Sequence, residues 1–343
     1  MDKNTIIGFV LIAAVLIGFS WYTQPSAEEV AQQRMQDSIT AVAQKNAAAQ
    51  QGMAEKARRD AAAAQAKADT TAAFYGAMTG TAKDVVLKNS KLELTLSTKG
   101  GTVGKAVIKD FKDRNGNKDV TLFDASDQSL KFMLAGKDMN IVTDELFFTP
   151  SGVTDTTVTM TADAGNGKSL ALTYTLGKDY MLHVSMRVTG MNGLFAPNCN
   201  SMDVEWTDKC RQQEKGFTFE NRYATLTYHL TDGGTDYLSE TKSFTDEEIE
   251  DAIDWVAFKN QFFSAVMIAG NDLGANAKMT SIPQEKGSGY LKQYGAKMKT
   301  FFDPTGKQPT ELEFYYGPND FRLLQRVEEE STFGKDLELQ RLV

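Results

Sequence analysis

Between Val85 and Gly317, apolar and polar residues take turns along the chain. In "KLELTLST", Leu92, Leu94 and Leu96 fall on one side, and Glu93 and Thr95 on the other. In "SLALTYTL", the large residues Leu170, Leu172, Tyr174 and Leu176 alternate with Ser, Ala and Thr. A Gly-Lys-Asp turn follows, and then Leu182, Val184, Met186 and Val188 alternate with His183, Ser185 and Arg187. A period of two sends successive side chains to opposite faces of a strand. These two runs therefore predict an antiparallel hairpin with one dry face and one wet face. Asn115-Gly116 and Asn166-Gly167 are tight-turn signals. "TTVTMTA", "ATLTYHL", "FFSAVMI" and "TELEFYY" continue the theme. Many short strands with regular turns and few helices predict a mainly β fold, a large antiparallel β-sandwich over residues 82–318.

Both ends of the chain break this rhythm. Ile6–Tyr22 is an uncharged, mostly apolar run of 17 residues. As a helix it would be about 26 Å long, close to the roughly 30 Å hydrocarbon core of a bilayer. Trp21 and Tyr22 stand at one mouth, where aromatic interface anchors belong. Small residues spaced for signal cleavage occur only at Gly18 and Ser20, inside the apolar run. That favours an uncleaved signal-anchor over residues 1–25 rather than a cleaved signal. Lys3 precedes the run, Glu28 and Glu29 follow it, and the next basic residue is Arg34. This bias favours a cytoplasmic N-terminus, with the bulk of the chain outside the cytoplasm.

Residues 26–81 read as a linker. Seventeen of the 47 residues from Ala27 to Ala73 are alanine, and Met35, Ile39 and Val42 make only a weak stripe, so the segment has little to bury. It is either a solvated helical stalk, up to about 70 Å if unbroken, or a low-complexity tether. Residues 319–343 switch to helical spacing. Phe321, Leu324 and Val327 recur at i, i+3 and i+6, and "FGKDLELQRLV" adds a second short helical piece. The three apolar residues need a partner, and the sandwich itself is the expected one.

A formal net charge of −8 over 343 residues argues against a nucleic-acid partner, which needs a basic surface. Cys199 and Cys210 flank a stretch that reads as one strand. At about 3.3 Å per residue the thiols would lie tens of ångströms apart, which favours two unpaired thiols unless the strand bends back. "DRNGNKD", Asp113–Asp119, has oxygen ligands at alternate positions, but its Gly and its distal acid are misplaced for a calcium loop. It reads as a polar turn. "GNGKS", Gly165–Ser169, lacks the first glycine of a phosphate loop, and its lysine enters a strand. His183 and His229 fall on polar strand faces with no neighbouring ligands for a zinc site. Asp203 and Glu205 share one strand face and read as solvated rather than as an acid/base pair. The sequence thus assigns no catalytic, cofactor-binding or metal-ligating residue.

The order of segments is familiar. "MDKNTIIGFVLIAAVLIGFSWY" precedes a variable linker and then "VVLKNSKLELTLSTKGGTVGKAVIKDFKD". "RQQEKGFTFENRYATLTYHL", "DWVAFKNQFFSAVMIAG" and "LEFYYGPNDFRLLQ" follow in turn. Nearly end to end, this resembles the YidC/Oxa1 family of membrane protein insertases, particularly its Bacteroidetes-type members. The opening, "WVAFKNQFFSAV" and "YYGPNDF" are its most specific parts. The resemblance implies an anchor in the bacterial inner membrane and a periplasmic β-supersandwich that ends in short helices. It implies no cofactor. It implies the lipid bilayer, nascent membrane proteins and Sec translocon components as partners. The family's insertase machinery is five further membrane helices around a groove carrying an arginine, and no position here matches those groove residues. Two other readings stay open. One is an anchored carbohydrate-binding or mutarotase-like protein, since the family's supersandwich resembles that fold. The other is a stalked export adaptor.

The poor cleavage context carries an expected outcome. N-terminal sequencing of protein extracted from membranes recovers the original N-terminus, and a mature start near Trp21 would instead mean a cleaved signal.

Overall fold

The computed structural model describes residues 73–343 apart from 138, 197 and 241–243. The apolar run Ile6–Tyr22 and the alanine-rich linker as far as residue 72 lie outside the described residues. Among the described residues, no helix is long and apolar enough to cross a membrane.

The first strands are β1 (Asp84–Lys88), β2 (Leu92–Ser97), β3 (Val103–Lys112), β4 (Asp119–Phe123), β5 (Gln128–Leu134), β6 (Ile141–Val142) and β7 (Thr149–Ser151). Next come β8 (Thr157–Gly165), β9 (Lys168–Leu176), β10 (Met181–Thr189), β11 (Ser201–Arg211), β12 (Thr225–Leu230) and β13 (Thr235–Tyr237). The last are β14 (Thr245–Ile249), β15 (Ile253–Lys259), β16 (Phe263–Ala269), β17 (Ala277–Pro283), β18 (Tyr290–Phe301) and β19 (Thr310–Pro318). Helix α1 is Phe217–Arg222 and helix α2 is Phe321–Glu330. Every pairing between these strands is antiparallel.

The strands form a four-stranded sheet in the order β1-β2-β3-β4, a six-stranded sheet β14-β17-β18-β11-β5-β6, and a nine-stranded sheet β13-β12-β15-β16-β19-β10-β9-β8-β7. The fold is thus a large antiparallel β-sandwich with short C-terminal helices. The alternation in the sequence maps onto it directly. Leu92, Leu94 and Leu96 of β2 are fully buried. The β9–β10 hairpin pairs Leu176 with Leu182 and Leu172 with Met186, which puts one apolar row inward. "DRNGNKD" is the β3–β4 turn, and the Asp113 carboxylate accepts from the backbone N–H of Asn115 and Asn117. At the β8–β9 turn Asn166 and Gly167 both take positive φ, 54° and 74°, as a two-residue hairpin turn with matching twist requires.

The main core lies between the six- and nine-stranded sheets. Trp206 of β11 stacks on Phe258 of β15 at 4.1 Å and meets Phe314 of β19 edge-on at 6.4 Å. Phe258 in turn stacks on Tyr294 of β18. The core also reaches upstream of β1. A 3-10 turn at Tyr75–Ala77 follows Phe74, which is 1% exposed. Phe147 donates its backbone N–H to Ala77 at 2.6 Å.

The central strands of the large sheet depart from the expected dry-and-wet pattern. All seven residues of β16 are buried, as are all but the last of β15. Their second face is covered by residues 319–343, which supply the apolar cover. Asp320 caps α2 by accepting from the Leu323 N–H at 2.8 Å, which sets the helix's rotation. Leu323, Leu324 and Val327 then face the protein. Phe321, expected on that face, is 49% exposed because it stands at the first position, beside the cap. The second helical piece is shorter than expected. Gly334 and Glu338 take positive φ, so the chain crosses the sheet as a strap and only Leu339–Leu342 coils, as a 3-10 turn.

Glu328 ties α2 to this strap. Its carboxylate accepts from the backbone N–H groups of Leu337, Glu338 and Leu339 at 2.7–3.1 Å. Removing it leaves three donors without their acceptor.

Two measurements follow from this packing. Trp206→Ala opens a cavity between the two sheets and is expected to cost about 3–5 kcal/mol in denaturant unfolding. Phe219→Ala, at an exposed residue of α1, should stay within about 0.5 kcal/mol. Glu328→Ala is expected to cost about 1–3 kcal/mol and to raise hydrogen exchange at residues 337–339. Unchanged exchange there would show that the carboxylate does not hold the strap.

Candidate functional site on the outer face of the large sheet

The register of the nine-stranded sheet draws one transverse row across five strands. His229 of β12 pairs with Trp255 of β15, Trp255 with Ile268 of β16, Ile268 with Glu313 of β19, and Glu313 with His183 of β10. Strand periodicity puts all five side chains on the same face, the one that α2 and the strap cover. The chain has two histidines, and both stand in this row.

Two members of the row, Glu313 and Trp255, hold the strap directly. Glu313, whose side chain is fully buried, accepts from four donors. They are His183 Nδ1 at 3.0 Å, the Ser331 hydroxyl at 2.7 Å, and the Thr332 N–H and hydroxyl at 2.9 and 2.7 Å. Trp255 Nε1 donates to the Leu337 carbonyl at 2.7 Å. Beside it, Asp254 accepts from Lys335 Nζ at 2.6 Å, with His229 Nδ1 3.5 Å from its other oxygen. The Lys335 ammonium also donates to the carbonyls of Ala269 and Asn271. At the end of β15, Lys259 Nζ donates to the Leu342 carbonyl at 2.8 Å. The His229 ring stacks parallel on Trp255 at 5.9 Å.

This arrangement shifts the titrating groups. Burial works against the Glu313 anion, but His183, Thr332 and Ser331 together hold its carboxyl below the usual range. The hydrogen bond that His183 donates to the Glu313 carboxylate holds its imidazole above its ordinary value, against the effect of burial. Asp254 is likewise held low, with burial opposed by His229 and Lys335. Burial pushes the Lys259 ammonium down.

Two troughs open beside the strap's end. One of about 570 Å³ is lined by His229, Asp232, Asp254, Lys335, Asp336 and Glu338, among others. The other, about 580 Å³, has Tyr223 and Tyr237 at its walls, with Thr225, Lys259, Gln261 and Arg341. Among the described residues, no group of three or more His, Cys, Asp or Glu is placed to hold a metal ion. Chemically the face is a seam. Two anionic acceptors, an indole N–H and two lysines hold polypeptide backbone and hydroxyls.

The sequence-flagged residues scatter. His229 was expected on a wet strand face; it is 3% exposed, because the strap roofs that face. His183 is partly covered by the same strap. Cys199 and Cys210 are both free and buried, and burial raises both thiols. Cys199 precedes β11 rather than lying in it. Asp203 and Glu205 share the solvent side of β11, where Glu205 meets Lys131 at 2.9 Å. "GNGKS" is the β8–β9 turn, with Lys168 opening a strand. Glu313, Asp254, Lys335 and Glu328 were not flagged. One signal was present: Glu313 is a carboxylate between Leu312 and the aromatics of "EFYY", in a strand too apolar to have a wet face.

The family model and the curated relatives agree on one family. Residues 84–340 match the family model described as the YidC periplasmic domain. Along its full length the chain is 47% identical to the membrane protein insertase YidC of Phocaeicola vulgatus, of which it covers 55%. The chain spans about half the length of the curated relatives it matches. Among solved structures, an active YidC insertase with its first transmembrane domain resolved matches at 13% identity and a TM-score of 0.31, over 74% of this chain and 43% of that one. A galactose mutarotase-like protein from Lactobacillus casei matches at 12% identity and a TM-score of 0.44, over 69% of this chain and 100% of that one. By the family-model match and the 47% identity, the chain belongs to the YidC family of membrane protein insertases, and its β-sandwich is the family's periplasmic domain.

Proposed function

We propose that this chain provides the anchor and periplasmic domain of an insertase that assists the insertion and folding of inner-membrane proteins. The observation that carries this reading is the match of residues 84–340 to the YidC periplasmic domain, within a full-length identity of 47% to a named insertase. In this reading Ile6–Tyr22 anchors the chain with its N-terminus in the cytoplasm. Residues 26–81 space the sandwich from the bilayer, and residues 82–343 lie in the periplasm. Nascent membrane proteins are the substrates, the lipid bilayer is the setting, and Sec translocon components are further partners.

The sandwich and its anchor do not insert proteins by themselves. A nascent segment needs a path on which its polar flanks stay wet while its apolar residues meet lipid. Ile6–Tyr22 carries no ionisable side chain with which to line such a path. What this part offers is a tethered, rigid surface and a C-terminal segment seated on it.

Complementation in insertase-depleted cells tests the reading. A chimera that joins residues 1–343 to the remainder of the Phocaeicola vulgatus relative is expected to restore growth. Residues 1–343 alone are expected not to. Rescue by residues 1–343 alone would overturn the division of labour. Failure of the chimera where the whole relative succeeds would overturn the assignment of this domain to an insertase.

A further inference from the structure

The strap's attachment to the large sheet passes through a histidine–carboxylate pair. Glu313 is fully buried, and its two oxygens take all four of their donors from two sources. One source is His183 on the neighbouring strand. The other is the start of the strap, Ser331 and Thr332. A buried anion without a balancing cation is costly. Of the four donors only the imidazole can carry charge. With His183 protonated, the anion is balanced and its remaining lone pairs are free to hold Ser331 and Thr332. With His183 neutral, the ring keeps an N–H but loses the charge. The strap must then seal an unbalanced carboxylate against the sheet, or let water reach it.

We propose that His183 and Glu313 form a proton-controlled fastener, which holds the strap at residues 331–335 on the sheet in mildly acidic surroundings and loosens it as the pH rises. The surroundings of His183 are simple enough for this to be read out. The charged groups that face the ring are Glu313 and Glu311, both on β19. Glu311 is engaged by the Ser185 hydroxyl at 2.9 Å. Arg187, further along β10, donates to the carbonyls of Gly306 and Lys307. On α2, Glu328 is committed to residues 337–339, and Glu329 and Glu330 are exposed. From the strap come only the uncharged donors of Ser331 and Thr332. His229, at the other end of the row, faces Asp254, Lys335 and Glu338, so its carboxylate already has a permanent cation.

The direction follows from the two shifts. His183 is raised from 6.5, so its contribution is full below that value and is lost as the pH climbs through the raised one. Glu313 is lowered from 4.5, so its contribution is full above that value and is lost as the pH falls through the lowered one. The fastener is tightest between these limits and weakens toward alkaline pH. The Trp255 indole, which does not titrate, holds the Leu337 carbonyl throughout this range. Loosening therefore begins at Ser331.

Hydrogen exchange of the full chain in detergent, from pH 5.5 to 9 and corrected for intrinsic exchange rates, tests this. Protection of the peptide covering residues 331–337 is expected to fall about tenfold for each unit by which the folded His183 value exceeds the free one. Peptides of β18 should hold steady and serve as the reference for global folding. His183→Gln keeps an N–H donor but cannot titrate, and its protection at 331–337 is expected to be flat with pH. His229→Gln is expected to keep the wild-type slope. A flat wild-type profile would overturn the proposal, as would a slope that survives in His183→Gln or disappears only in His229→Gln.

Discussion

The large sheet is apolar on both faces at its centre, and this constraint organises the molecule. β15, β16 and β19 carry almost unbroken burial, from Ile253 through Phe258, Phe263 through Ala269, and Thr310 through Pro318 apart from Glu311. A sheet of this kind needs a layer on each side, as buried parallel sheets do for the same reason. The six-stranded sheet supplies one layer through Trp206, Tyr294 and their neighbours. The second layer comes from the last 25 residues of the chain, through Leu323, Leu324, Val327, Leu337, Leu339 and Leu342. Without that cover, Trp255, Val266 and Ile268 would meet water. The polar groups that fasten the strap are consequences of the same demand. Once the face is roofed, Glu313 and Asp254 lie buried and must be supplied with donors.

Most of the architecture was legible in the sequence, because a half-buried strand writes its faces as alternation. β2, β9 and β10 have the register that "LELTL", "LALTYTL" and "LHVSMRV" dictate. The paired polar turns fell where Asn-Gly placed them. The two-sided burial at the centre was less legible. "WVAF" and "FSAVMIA" look like strands in either case, and only the lack of alternation marks a second cover. That omission misled the reading of His229 and hid the role of Glu313. A polar residue on a strand reads as wet until the roof over it is known. Of the three helix positions that periodicity points inward, Leu324 and Val327 are buried and Phe321 is not. Periodicity alone admits Phe321, whereas the Asp320 cap rotates the helix so that Leu323 turns inward. The seam joins residues from 18 positions apart, as in Glu313 and Ser331, to 130 apart, as in His183 and Glu313, and no spacing rule connects them.

Sheets with open edges invite unwanted pairing, and four of the edge strands here carry different deterrents. On β13, the Asp236 carboxylate accepts from the Tyr237 N–H at 2.8 Å, occupying a donor on the rim. β7 is three residues long with Pro150 at its middle, which has no N–H to offer. β14 carries Asp246, Glu247 and Glu248 in a five-residue strand. On β1, the Lys88 N–H is taken by the Asp155 carbonyl at 2.7 Å. Rims of this kind keep the sheets from annealing to another strand.

The strap also has a mechanical character. Its attachments lie in series along the chain: Ser331 and Thr332 on Glu313, Lys335 on Asp254, Leu337 on Trp255, and Leu342 on Lys259. A pull on Val343 would load the Lys259 bond and the buried Leu342 first, then the Glu328 and Trp255 bonds at residues 337–339, and so on inward. That is the geometry of peeling, in which groups of attachments fail in succession rather than all together. A pull on Phe321 along the α2 axis would instead load the helix's buried leucines and Glu328 together, which is shear. The domain would therefore yield softly to tension from its C-terminal side and resist it from the other direction. Residues 331–343 would pay out as slack before the sandwich felt any load.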